Sequence, residues 1–194
     1  MSAPPTTPTL DAATLRTHWR QFGIPPDYGR QRGLSRVREP RRLESIGLDI
    51  HAREQWLTPP AARAWFALQA AAAQDGIALL VVSAFRSIDY QCGIIARKQA
   101  RGVSLDAILA VNAAPGYSEH HSGRALDLTS TGFPPLEETF EHSAAFTWLR
   151  AHATRYGFHL SYPRDNPHGI AYEPWHWCWR RVGHLDTHRA TAGA

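Results

Sequence analysis

A chain of 194 residues with 43 % hydrophobic and 20 % charged content has the balance of one globular unit around a single core. That balance excludes an intrinsically disordered chain, and no stretch approaches the ~18 apolar residues of a membrane-spanning helix. The formal charge of +4 and sequence pI of about 9.4 favour anionic partners, yet no nucleic-acid-binding motif accompanies them, so nucleic acid is not expected.

Residues 1–8 are rich in Pro and Thr and read as a disordered segment. They offer neither a charged n-region nor an apolar h-region, so no secretory signal is visible and a cytoplasmic protein is expected. From Thr9 or Asp11 to about Phe22 the pattern is helical: Asp11 can cap it, and Leu15, Trp19 and Phe22 share a face. Residues 27–57 are rich in Gly, Arg and Pro, and no regular element can be assigned there. With the helix they make an arm, residues 9–57, packed on the main domain. Arg30, Arg32, Arg36, Arg38, Arg41 and Arg42 read as a solvated loop or as attraction for an anionic substrate.

Thr58-Pro59-Pro60 starts a helix, with Thr58 as its cap and Pro at the first positions, Ala61, Trp65, Leu68 and Ala72 on its buried stripe and Gly76 closing it. Ile77 to Val82 is nearly all apolar and predicts a buried central strand. Ser87 caps a helix to about Arg101, and Ser104 starts a short one through Val111. Arg124 to Leu128 alternates as a strand, Ser143 to Tyr156 reads as a helix stopped by Gly157, and Phe158, Leu160 and Tyr162 alternate again. The last strand is expected over Tyr172 to Val182, carrying Glu173-Pro174-Trp175-His176. Residues 184–194 form a Thr/Ala/Gly tail. Helices and short strands without regular βαβ alternation point to an α+β fold: one small domain, residues 58–183, with a central, mainly antiparallel sheet flanked by helices.

Cys92 and Cys178 lie outside any CxxC pattern, which argues against a cysteine metal site; two buried free thiols are expected rather than a disulfide. A different set has metal-ligand chemistry. His120 and Asp127 stand seven positions apart, and His176 follows Glu173 by three. Three N/O ligands and a spare carboxylate are the composition of a hydrolytic zinc site, with one position open to water and a base to take its proton. Gly123 lets the chain bend between His120 and Asp127, and Ala125 shares a strand face with Asp127. His121 is the nearest rival to His120 as a ligand.

The run Ser118-x-His120-x-x-Gly123-x-Ala125-x-Asp127 resembles the SxHxxGxAxD signature of the VanY-type zinc D-alanyl-D-alanine carboxypeptidases. Glu173-Pro174-Trp175-His176 is similar to that family's ExxH element, and Ser83-Ala84-Phe85-Arg86-Ser87 with Gln91 to its SGYRS…Q segment. The resemblance runs from about Thr58 to Gly183. It implies that His120, Asp127 and His176 bind Zn²⁺ and that Glu173 is the general base and acid. It further implies that Arg86 binds substrate and stabilises the oxyanion, while Ser118, Gln91 and Trp175 line the substrate site. The implied substrate is a peptidoglycan-derived stem peptide losing a C-terminal D-amino acid, by D,D- or L,D-cleavage. The chain departs from the pattern at Ala84-Phe85, where Gly-Tyr is usual, and at Arg124 and Ser161. Two competing readings remain: a non-catalytic cell-wall-peptide-binding module on the same fold, and a peptidoglycan endopeptidase. Oligomeric state is not readable from the sequence.

Overall fold

The computed structural model describes residues 11–181. The segment and tail expected at 1–8 and 184–194, and the end of the last expected strand at Val182, lie outside them. Four strands form an antiparallel sheet in the order β3-β4-β6-β5: β3 (Leu80–Ser83), β4 (Ala125–Thr129), β5 (Phe158–Leu160) and β6 (His176–Trp179). A separate two-stranded hairpin is made by β1 (Glu44–Leu48) and β2 (Glu54–Leu57). The helices are α1 (Ala12–Phe22), α2 (Tyr28–Gln31), α3 (Pro59–Gln74), α4 (Ile88–Ala100), α5 (Leu105–Val111) and α6 (Ala144–His152).

The expected α+β class is the observed one. Side chains Asp11, Ser87, Ser104 and Ser143 each accept a backbone N–H at the start of a helix, as cap residues do. Thr58 precedes α3 without a side-chain cap, and the prolines at the first positions carry that start instead.

Two faces of the sheet lead to two cores, because side chains alternate along a strand. Leu126 and Leu128 of β4 and Trp177 of β6 pack against Trp65 and Leu68 of α3 and Phe146 and Leu149 of α6. A second cluster gathers Leu15, Trp19 and Phe22 of α1, Ile88, Cys92 and Ile95 of α4, and Ile108 and Leu109 of α5 around Tyr28, Tyr117 and Tyr162. Asp127 and His176 take the positions between the core-facing residues and therefore emerge on the other face of the sheet. They are direct cross-strand partners in the β4–β6 register.

Several expectations are corrected. Ile77–Val82 was predicted as a central strand, but β3 begins at Leu80 and lies at the sheet edge, with Leu80 36 % exposed. An apolar run signals burial of the side chains, not position in the sheet. The Glu-Pro-Trp-His element is not on a strand: Pro174 and Trp175 form a turn, and only His176 belongs to β6. The arm also contains regular structure that the sequence hides, α2 and the β1–β2 hairpin, whose Ile46 and Leu57 enter the sheet core. The predicted helix over Ser143–Tyr156 tightens into a 3₁₀ turn from Ala153 before Gly157 ends it. Both cysteines are buried and free, as expected.

Candidate active site

Each ligand candidate is delivered by a different local device. His120 sits in a 3₁₀ turn, Glu119–Ser122, closed by Gly123 at φ +63°. A Cβ at Gly123 would lie 2.9 Å from Leu43 Cδ2 and 3.3 Å from both Pro40 Cγ and Thr58 Cγ2, so both backbone and space demand glycine there. Asp127 is the middle residue of the fully buried β4, and His176 opens β6. His120 Nε2 is 3.2 Å from Asp127 Oδ2, and His176 Nδ1 is 3.0 Å from Asp127 Oδ1. One ligand atom from each of the three residues lies within 4.8 Å of the others, and all three residues are buried. Glu173 Oε2 stands 3.8 Å from His176 Nδ1.

The groups fit a divalent cation. Two imidazole nitrogens and a carboxylate are a donor set typical of zinc, although other divalent ions accept it too. His120 Nε2 is buried and makes no hydrogen bond. Its Nδ1 is 2.5 Å from the Ala84 carbonyl, an acceptor that fixes the proton on Nδ1 and leaves the Nε2 lone pair towards the cluster. Burial and the Arg86 charge push His120 down to about 4, keeping it in the neutral form a metal requires. Burial works against ionisation of Asp127, but the two imidazoles outweigh it and hold the carboxyl well below its usual range. Burial likewise disfavours charge on His176, yet hydrogen bonds to Asp127 and Glu119 win and raise it. A cation taken up at Nδ1 would therefore displace a proton.

Glu173 is the opposite case among the carboxylates. Burial, aided by the negative charges of Asp127 and Glu119, pushes it up to about 7 against the pull of His176 and Arg86. A carboxylate tuned near neutrality can both accept and return a proton. Arg86 follows β3, in the loop before α4. Its backbone N–H donates to the His120 carbonyl (3.3 Å), and its own carbonyl is 2.7 Å from His121 Nδ1. The Arg86 Nε is buried without a hydrogen-bond partner. Lys98 of α4 is near enough that, after burial, the Arg86 charge lowers it and Glu173 raises it.

His121 lies outside the candidate cluster; its ring Nδ1 meets the Arg86 carbonyl instead. Gln91 is fully buried and its Nε2 donates to the Ala113 carbonyl at 3.0 Å, while its Oε1 has no partner. Ser118 is buried at the start of the His120 turn. Trp175 packs against the sheet core, the cluster containing Leu128 and Trp177, and its carbonyl accepts from Leu128 N–H. Sequence reasoning overlooked two residues. Tyr162 places its ring 4.8 Å from that of His176, and Glu119 Oε2 lies 2.9 Å from His176 Nε2. Glu119 was visible only as the neighbour of His120; no spacing rule links it to His176.

A family profile described as VanY, D-alanyl-D-alanine carboxypeptidase, matches residues 54–183, starting at β2 rather than at Thr58. Among curated relatives, a protein of Bacillus subtilis named as a carboxypeptidase, YodJ, is 36 % identical over 128 residues, covering 64 % of this chain and 46 % of its own length. A D-alanyl-D-alanine carboxypeptidase of Enterococcus faecalis is 32 % identical over 126 residues, covering 58 % of this chain and 43 % of its own. The chain thus spans under half the length of these relatives. Among solved structures, the LD-carboxypeptidase LdcB superposes with a TM-score of 0.64 at 33 % identity, covering 73 % of this chain and 69 % of that one. A mutant of the vancomycin-resistance D,D-pentapeptidase VanY, in complex with Zn(II), gives 0.58 at 26 % identity over 75 % of this chain and 83 % of that one. With the profile covering most of the residues and the described geometry in agreement, the chain belongs to the VanY family of D-alanyl-D-alanine carboxypeptidases.

Proposed function

We propose that this chain is a metallo-carboxypeptidase that uses zinc to remove a C-terminal D-amino acid, D-alanine, from peptidoglycan stem peptides. The observation that carries the reading is the convergence of His120, Asp127 and His176 with Glu173 Oε2 3.8 Å from His176 Nδ1. Family membership and solved relatives described as holding Zn(II) or D-alanyl-D-alanine support it.

Held by those three residues, zinc would supply a Lewis acid and lower the pKa of a coordinated water from ~15.7 towards ~7. The chain supplies the rest. Glu173 takes the proton of the attacking water on its carboxylate and returns it to the leaving amine. Arg86, with an unpartnered buried Nε, offers a planar fork for the substrate's carboxylate or for the oxygen on which charge develops. Lys98 adds positive potential beside it, suited to an anionic peptide end. The buried Ser118 and Gln91 support the substrate side, Gln91 with one unsatisfied amide oxygen. The buried Glu173, raised to about 7 beside the cluster, favours a proton-transferring enzyme over a binding-only module.

The test is to incubate the zinc-loaded protein with muramyl tetrapeptide and pentapeptide and weigh the products. Loss of one D-alanine from the pentapeptide assigns D,D-cleavage, and loss from the tetrapeptide assigns L,D-cleavage. Cleavage inside the stem, or no chelator-sensitive product from either peptide, contradicts the proposal.

A further inference from the structure

His176 is held at both ring nitrogens. Nδ1 meets Asp127 Oδ1 at 3.0 Å, on the side of the ligand cluster, and Nε2 meets Glu119 Oε2 at 2.9 Å. The Tyr162 ring lies across the imidazole at 4.8 Å with an interplanar angle of 39°, and the His120 ring meets it edge-on at 4.9 Å. Residue 176 is only 2 % exposed, and the Glu119 side chain is 25 % exposed, so this pair is largely withdrawn from solvent. A surface ion pair of the same length would have little directing power.

We propose that Glu119 is a positioning residue for the metal: its carboxylate anchors Nε2 of His176 and so commits Nδ1 to the cation. Histidines that bind metals commonly place the other ring N–H on a carboxylate, which selects the tautomer, fixes the ring plane and makes the ligating nitrogen more basic. Here the carboxylate has an added consequence. Glu119 directly precedes His120, so one 3₁₀ turn supplies a ligand with residue 120 and orients another ligand, 57 residues beyond Glu119, with the adjacent side chain. Any movement of that turn shifts His120 and the support of His176 together. The two imidazoles are therefore set relative to one another by two neighbouring residues as well as by the β4–β6 register. His120 has a neutral equivalent in the Ala84 carbonyl, so the two ligands are oriented by acceptors of different charge.

The inference rests on the metal-site reading, and the test separates the two. Zinc affinity of the metal-free protein would be measured by competition with a chromophoric chelator for wild type, E119A, E119Q, E119D and His176→Ala. Thermal unfolding of each metal-free variant gives the structural control. E119A should bind zinc about 10- to 100-fold more weakly than wild type. E119Q keeps a neutral acceptor at Nε2 and should fall between them. E119D, one methylene short, should resemble E119A. In zinc-loaded wild type the Nε2 proton of His176 should give a hydrogen-bonded, downfield NMR signal that E119A loses; a purely structural role would not move that signal selectively. If His176→Ala abolishes binding but E119A and E119Q bind like wild type, the positioning role is wrong and the metal site stands. If wild type binds zinc no better than His176→Ala, both fall. Should E119A fail to fold, the near-isosteric E119Q decides alone, and wild-type affinity there overturns the proposal.

Discussion

Glu173→Gln separates the cost of the proposed base from its use. Glu173 is buried, its side chain 11 % exposed, and burial raises its carboxyl from 4.5 to about 7. Between those values the folded protein binds more protons than the unfolded chain, so this group's stabilising effect is complete below pH 4.5 and is lost as pH rises through about 7. At 1.36 kcal/mol per pKa unit the loss is about 3 kcal/mol at most. An amide at the same position does not ionise. Metal-free Glu173→Gln should therefore match wild type near pH 4.5 and exceed it above pH 7, by about 2–4 °C in Tm for each kcal/mol. The same substitution should lower turnover by about 10²–10⁴-fold while zinc content is retained, because no group remains to carry the proton. Melting curves from pH 4.5 to 8 in chelator, paired with product assays in zinc, measure both. Parallel pH slopes in the two proteins would refute the burial argument, and near-wild-type turnover would refute the role.

His121→Asn keeps an N–H donor for the Arg86 carbonyl but removes a buried imidazole pushed down to about 3, chiefly by burial. In wild type that group costs stability as pH falls from about 6.5 towards 3, on the order of 4–5 kcal/mol at the limit, so the variant should unfold at lower pH in an acid titration followed by circular dichroism. Arg86→Ala should lose about 10²–10³ in kcat, as removal of an oxyanion donor does, with zinc affinity nearly unchanged by competition titration. Gly123→Ala must adopt φ +63° and press on Leu43, Pro40 and Thr58, costing at least about 1–2 kcal/mol in a denaturant melt.

Local signals made much of this molecule legible from its sequence. Asp11, Ser87, Ser104 and Ser143 announce helix starts through chemistry confined to one turn, and the structure shows each side chain accepting the N–H it should. The cluster of His120, Asp127 and His176 was legible as a candidate because His120 and Asp127 are close in the chain and His176 follows Glu173 by a fixed step. What stayed hidden depends on distant pairing. β1 and β2 are short, and β1 carries Gly47 at φ +90°, so their register comes from docking Ile46 and Leu57 into the sheet core rather than from alternation. The edge position of β3 is a matter of strand order, which no property of Leu80–Ser83 reports. Glu119 acquires its partner only when β6 returns beside β4 and brings His176 within 2.9 Å. The hairpin reaches the site by the same kind of link: Gln55 Oε1 accepts the Ala84 N–H, and the Ala84 carbonyl holds His120.

The most direct measurement is the zinc stoichiometry of the purified, metal-reconstituted chain, determined by elemental analysis alongside His120→Ala, Asp127→Ala and His176→Ala. The geometry predicts one tightly held ion per wild-type chain and none retained by the three variants after dialysis against metal-free buffer. One ion retained at wild-type affinity in any of the three would mean that the cation sits elsewhere, and the proposed catalytic arrangement would be wrong.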